Sequence, residues 1–182
     1  MWPWAHAAVG YLLYIAYARR RGRPLRGLPV LATVIGTQAP DLLDKPLSWT
    51  VAVLPAGRSL GHSLLFVVVV AGLCWYAVAV RLDRPVVALG GVFGYLSHLF
   101  ADGLGAVLAG QWADLSYLGW PLLPLPAYDT EPSFAAHLLA FEFSTLTIVG
   151  FALTGVAVLT WLWTVTHPTR RDADRGPRPF RK

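Results

Sequence analysis

The sequence predicts an all-α, polytopic membrane helix bundle, and three observations carry that expectation. Only 14% of the 182 residues are charged while 55% are hydrophobic, where a soluble domain carries roughly 25% charged residues. Apolar runs recur at lengths near the roughly 20 residues that a helix needs to cross a hydrocarbon core. Basic residues collect in the stretches between those runs. The mean hydropathy of +0.52 also excludes a disordered chain, because there is ample apolar surface to bury. The single cysteine, Cys74, excludes a disulfide framework and a thiolate zinc site and reads as inert packing.

Five membrane segments follow in order, or four if the second is re-entrant. The first, 3–18, opens on PWAH and lacks the charged start of a signal peptide, so it is expected to be retained. The second, 28–43, is short and ends on two carboxylates. The third, 60–80, is the clearest, with no acidic or basic side chain except His62 before the closing Arg81. The fourth, 85–110, is interrupted by His98 and Asp102; the fifth, 134–166, is longer than one crossing requires and carries His137 and Glu142 near its start. Between the last two lies a Pro-rich, aromatic loop, 111–133, suited to lying at the interface or lidding a cleft. Its Asp114, Asp129 and Glu131 are expected to be solvated. The membrane-embedded domain is thus 1–166, followed by a basic, disordered tail, 167–182.

Charge placement orients these segments. Arg19, Arg20, Arg21, Arg23 and Arg26, then Arg81 and Arg84, then six basic residues of the tail make 13 of the 15 lysines and arginines; only Lys45 and Arg58 remain. With five crossings all 13 fall on one side. Short basic loops stay cytoplasmic, so the N-terminus is expected outside and the C-terminus in the cytoplasm, in the cell membrane. The net charge of +5 needs no nucleic-acid partner, and the tail suits anionic lipid headgroups.

On that map His6, His62, His98 and His137, with Asp41, Asp44, Asp102 and Glu142, all fall in the outer half of the bundle. Ionisable groups inside a membrane are costly and mark functional sites by default. His98 and Asp102, four apart, project from one helix face; they form either a plain hydrogen-bonded pair or ligands of one metal. Asp41 and Asp44 share a helical turn. They are either an exposed end beside Lys45 or two carboxylates that need a cation between them. Arg58 and His62 are also four apart, with Ser59 placed to cap the next helix. Arg58 either snorkels to headgroups or offers its fork to an anion. His6 sits beside Trp2 and Trp4, which read as an interfacial belt. His137 and Glu142 are rotated about 140° from each other on an ideal helix, so at most one faces a shared centre, and Glu142 is the more deeply placed in sequence.

The expected metal ligands are therefore His6, Asp41, His62, His98 and Asp102, with Asp44 and Arg58 as catalytic groups and Asp44 close enough in sequence to join the ligands. Nitrogen and oxygen donors without sulfur suit Zn²⁺ first, then Mn²⁺ or Fe²⁺, in one or two sites. Such a centre suits hydrolysis, with Arg58 holding an anionic substrate group.

The succession WPWAHAAVGYLLY, GTQAPDLLDKP, GRSLGHSLL and GYLSHLFADGL, followed by WPLLP, resembles the YdjM-like family of LexA-binding, inner-membrane-associated metal-dependent hydrolases. The resemblance spans about residues 2–124. It implies that His6, Asp41, Asp44, Arg58, His62, His98 and Asp102 are the family's polar motif positions. The His-x-x-x-Asp after separated His, Asp and His residues also looks like the all-helical zinc-dependent phospholipase C and nuclease fold, although that fold's later His-x-x-x-Glu is not reproduced. The implied function is a membrane-bound metal-dependent hydrolase of a phosphoester or other anionic, lipid-like substrate. The alternatives are a non-catalytic membrane scaffold or regulator, and a proton- or ion-coupled transporter. A transporter needs a polar path to both faces, and the inner half of this chain is nearly all Leu, Val, Ala and Gly.

Overall fold

The computed structural model describes residues 2–126 and 133–167. Asp129, Glu131 and the tail beyond His167 lie outside them. Every regular element among the described residues is helical.

Helix α1 spans Pro3–Arg21; Pro3 stands in the first turn, where its missing N–H is no loss, and Gly22 ends the helix at φ 60. The segment expected as one crossing over 28–43 is two helices instead, α2 (Leu28–Gly36) and α3 (Ala39–Trp49). Pro40 lacks the N–H that would have bonded the Gly36 carbonyl, and the chain turns there. Helix α4 (Leu64–Cys74) runs directly into a wider π-helical stretch, Trp75–Arg81. Helix α5 covers Pro85–Leu108, and a 3₁₀ stretch covers Trp112–Gly119. The fifth expected segment is also broken, into α6 (Phe134–Leu139) and α7 (Thr145–Thr166). Ser144 interrupts it by capping α7, its side chain accepting the Thr147 N–H. At the start of α4 the cap position belongs to Ser63, not to Ser59 as its spacing suggested; the Ser63 hydroxyl bonds the Trp120 carbonyl and the Ser59 hydroxyl bonds that of Ala56.

Three helices among the described residues are long and apolar enough to cross a membrane: Leu64–Arg81, Pro85–Leu108 and Thr145–Thr166. The expected five is corrected accordingly. Helix α2, with nine residues, reaches only about 14 Å, and α1 ends in three arginines that dilute its apolar stretch. Of the three spans, α5 is 50% buried against 11% for Leu64–Arg81 and 17% for α7. Helix α5 is therefore the centre of the bundle, and the other two turn apolar faces outward.

Close packing fixes how α2 lies on α5, its most extensive partner. A Cβ at Gly90 would overlap the Pro29 carbonyl oxygen, one at Gly94 that of Thr33, and one at Gly36 that of Gly91. Small residues four apart are how membrane helices bring backbones together. The two helices run parallel, which delivers Thr37 to the level of His98. Helix α1 runs antiparallel to both, Gly10 fitting between Thr37 and Ser97. Helix α7 starts beside Ala5, at Gly150, and finishes where Val165 meets Arg26. The basic residues Arg19, Arg20, Arg21, Arg26, Arg81 and Arg84 thereby collect at one end of the bundle. The start of α1, helix α3, the connection into α4 and the last turns of α5 meet at the other.

Candidate metal centre

At that second end the structure brings His6, Asp41, Asp44, Arg58, His62, His98 and Asp102 into one cluster. His98 occupies the face of α5 turned to α2, and its Nδ1 lies 2.6 Å from the Thr37 carbonyl oxygen. A carbonyl only accepts, so Nδ1 carries the proton and Nε2 keeps a lone pair. His62 is fixed from the other side, with Nδ1 2.8 Å from Asp44 Oδ2, so in the neutral ring its Nε2 likewise keeps the lone pair. These two Nε2 atoms face each other at 3.1 Å.

Two carboxylate oxygens complete the group. Asp41 Oδ1 is 3.7 Å from His62 Nε2 and 3.9 Å from His98 Nε2; Asp102 Oδ2 is 3.6 and 3.7 Å from the same two atoms. A tetrahedron with metal–ligand bonds of about 2.0–2.2 Å has edges of about 3.3–3.6 Å, near the separations among Asp41 Oδ1, His62 Nε2 and His98 Nε2, while Asp102 Oδ2 approaches the two imidazoles from a separate position. The donor set thus fits a divalent cation, and without a cation or a proton two lone pairs are pressed together. The plain alternative for His98 and Asp102, a hydrogen bond between them, does not form at 3.7 Å.

The two aspartates of α3 have separate tasks. Asp41 turns Oδ2 to Lys45 at 2.7 Å, so the lysine pairing expected of an exposed end exists, yet its other oxygen faces the histidines. Burial raises the Asp41 carboxyl, but Lys45, His98 and His62 outweigh it and hold the group below the usual carboxylate range. Asp44 is fully buried, and both its oxygens are taken by the backbone N–H groups of Ser59 (2.8 Å), Gly61 (2.7 Å) and His62 (3.3 Å) and by the His62 ring. The loop can wrap Asp44 this tightly because residue 61 is glycine: a Cβ there would lie 2.9 Å from the Pro40 carbonyl oxygen. Asp44, expected as a catalytic group, holds the His62 ring from behind through Nδ1. Burial lowers the pKa of His62, but Asp102 and Asp44 more than compensate and raise it above the usual imidazole value.

Asp102 stands between two neighbours. Its Oδ2 also meets Arg58 Nε at 2.9 Å, and its Oδ1 lies 3.2 Å from His6 Nε2. His6 is 1% exposed and stacks on His98 with ring centroids 3.9 Å apart. Neither of its ring nitrogens makes an aligned hydrogen bond. His6, His98 and Asp102 therefore form a second set of ligand atoms beside the first. Three carboxylates against Arg58 and Lys45 leave the cluster with one net negative charge when the histidines are neutral; a divalent ion would make it net positive.

His137 and Glu142 do not join these ligand sets. His137 packs between Trp2 and Trp49, at centroid distances of 4.7 and 5.5 Å. Glu142, expected to be the more deeply buried, is exposed in the break before α7, because α6 stops at Leu139. Three contributors lacked a motif. The Thr37 carbonyl holds His98; Tyr95 Oη donates to the Gly61 carbonyl and ties the loop to α5. Tyr117, 2% exposed, sets its ring edge-on to His62 at 6.1 Å, so the described part of the 111–133 loop covers the cluster. Only that loop's aromatic content hinted at this.

No curated protein and no solved structure matches the chain. The model of a family described as YdjM inner membrane protein matches residues 1–170, which includes every residue of the cluster and the three candidate spans. The chain belongs to the YdjM inner membrane protein family.

Proposed function

We propose that the chain is a membrane-bound metal-dependent hydrolase acting on a phosphoester or another anionic, lipid-like substrate. The observation that carries the reading is the pair of Nε2 lone pairs 3.1 Å apart, each imidazole locked by a partner on its other nitrogen, with two carboxylate oxygens beside them. Asp41, His62 and His98 would hold one cation, Zn²⁺ first and Mn²⁺ or Fe²⁺ next, with His6, His98 and Asp102 offering a second set of donors beside it. Such an ion would supply Lewis acidity, activating water near neutral pH and stabilising charge on a phosphoryl or carbonyl oxygen.

The chain's own groups supply the rest. Asp44 keeps the His62 Nδ1 proton in place and so aims Nε2 inward. Tyr117 covers the His62 ring and limits water. Arg58, with a side chain 36% exposed, is the one cation of the cluster that reaches its rim, and its planar fork matches a phosphate or carboxylate. The cluster lies at the end of the bundle away from the basic loops, which positive-inside placement assigns to the outer side of the membrane. The substrate's anionic group would meet it at headgroup depth.

Metal analysis of the purified chain, joined to an assay on phospholipids, tests the reading. About one or two divalent ions per chain are expected, with phosphoester cleavage that stops on chelation and returns with Zn²⁺ or Mn²⁺. Protein that purifies without metal and takes up none would overturn it.

A further inference from the structure

We propose that the groove between α1, α2 and α7 holds an anionic phospholipid, its phosphate on Arg26 and an acyl chain along the apolar walls. This site is separate from the metal cluster and does not depend on it. The cavity measures about 550 Å³, within the roughly 300–1,000 Å³ of small-molecule sites. Trp4, Tyr11, Val34, Ala157 and Trp161 line it, and among the described residues Arg26 is the one charged side chain in its wall. Leu31 and Trp161, 54% and 50% exposed, flank an opening between α2 and α7, so a chain can enter sideways from the bilayer.

Two polar features call for an oxygen-rich ligand. Tyr11 is 5% exposed, and its hydroxyl is buried without a hydrogen-bond partner; an unpaired buried hydroxyl is costly, and in a groove otherwise apolar the ester oxygen of a lipid is a natural acceptor. Arg26 touches the Val165 carbonyl at 3.5 Å and forms no ion pair with a carboxylate among the described residues. A guanidinium has five donors and suits phosphate bidentately. Arg19, Arg20 and Arg21 in the last turn of α1 and Arg23 just after it add positive charge at the same end of the bundle as Arg26. An acyl chain alone would satisfy the walls but not this end, and a zwitterionic lipid would neutralise it less well than an anionic one. A packed protein helix would leave the Arg26 charge unmet.

The test uses the full chain in detergent, stripped of lipid and offered palmitoyl-oleoyl phosphatidylglycerol or phosphatidylcholine, with retained lipid counted by native mass spectrometry. Phosphatidylglycerol is expected to be retained about tenfold better, and glycerol phosphate, a head without a chain, not at all. Arg26→Gln should remove the preference while phosphatidylcholine retention stays as it was. Tyr11→Phe should weaken both lipids, although no protein contact is lost. Val34→Phe, which fills the groove, should do the same; should it misfold, Tyr11→Phe still decides. Arg84→Gln, a charge at the same end but outside the groove, should change nothing. Equal retention of the two lipids, an equal loss in Arg84→Gln, or a lipid-free dimer that covers α2 and α7 would each overturn the proposal.

Discussion

His62 and His98 present their Nε2 atoms to each other at 3.1 Å while their Nδ1 atoms are held by Asp44 and by the Thr37 carbonyl. A neutral imidazole has one N–H, so this contact sets two lone pairs face to face. Either a proton or a cation must lie between them.

Metal occupancy separates the two cases. Asp41→Asn, Asp102→Asn, His62→Ala and His98→Ala should each cost most of the bound metal, whereas Asp114→Asn, on an exposed residue, should cost none. Affinity should also fall with pH. Asp102 and Asp44 raise the proton affinity of His62, so its proton competes with metal up to a higher pH than the roughly 6.5 of a free imidazole. Binding is complete above that raised value and drops about tenfold per pH unit below it for each proton displaced. Titration calorimetry between pH 5 and 9 reads the slope; a flat profile argues against imidazole ligands.

Asp44 makes no contact with the facing oxygens, so its removal should act through His62. Asp44→Asn keeps the shape but loses the carboxylate that fixes the His62 Nδ1 proton, and it leaves one of three backbone N–H groups facing an amide. Metal affinity should fall about 10–100-fold, the usual effect of losing such a partner. Equilibrium dialysis on folded protein measures it, and unchanged affinity would make Asp44 purely a loop anchor.

Arg58→Lys should leave metal content intact while weakening turnover of an anionic substrate by about tenfold, because a point charge replaces a planar fork. The effect should appear in KM more than in kcat if Arg58 binds substrate equally in ground and transition states. A loss of metal in this variant would assign Arg58 to holding Asp102 instead.

Much of this centre was legible in the sequence because spacing on a helix is local information. His98 and Asp102 share a face by arithmetic, and His6, Asp41 and His62 were drawn together by their common depth between basic loops. What spacing cannot reveal is which oxygen faces which neighbour. Asp41 and Asp44 look equivalent three residues apart, yet the loop through Ser59 and Gly61 folds back onto only one of them. The Thr37 carbonyl carries no side-chain signal, and Glu142 was misjudged because a break at residues 140–144 cannot be seen in a continuous apolar run. The membrane count failed for a related reason: Pro40 divides an apolar stretch whose composition reads as one helix.

Topology can be checked with single cysteines in a Cys74→Ser background. Membrane-impermeant maleimide added to intact cells should label Asp114→Cys and spare Arg84→Cys, with Arg84 labelled only after permeabilisation. The basis is the gathering of six structurally placed arginines at the end opposite the cluster, since short basic connections are retained in the cytoplasm. The reverse pattern would move the cluster, and any chemistry there, to the cytoplasmic side.

The last prediction ties the packing of α2 on α5 to the centre. At Gly94 an added Cβ would overlap the Thr33 carbonyl oxygen and come within 3.0 Å of the Thr37 N–H nitrogen. Both neighbours are backbone, so no side chain can swing aside and α2 must retreat from α5. Overpacking of this kind costs about 1–3 kcal/mol. The movement also draws away the Thr37 carbonyl that holds the His98 proton. Gly94→Val should therefore lower the denaturation midpoint and the metal content together, although residue 94 touches no ligand atom. Gly72→Ala, where nothing lies within 4 Å of the new Cβ, should stabilise α4 slightly, by about 0.5–1 kcal/mol, and leave the metal in place. If Gly94→Val loses stability but keeps full metal affinity, the cluster assembles without the α2–α5 contact, and the register set by these glycines serves the bundle alone.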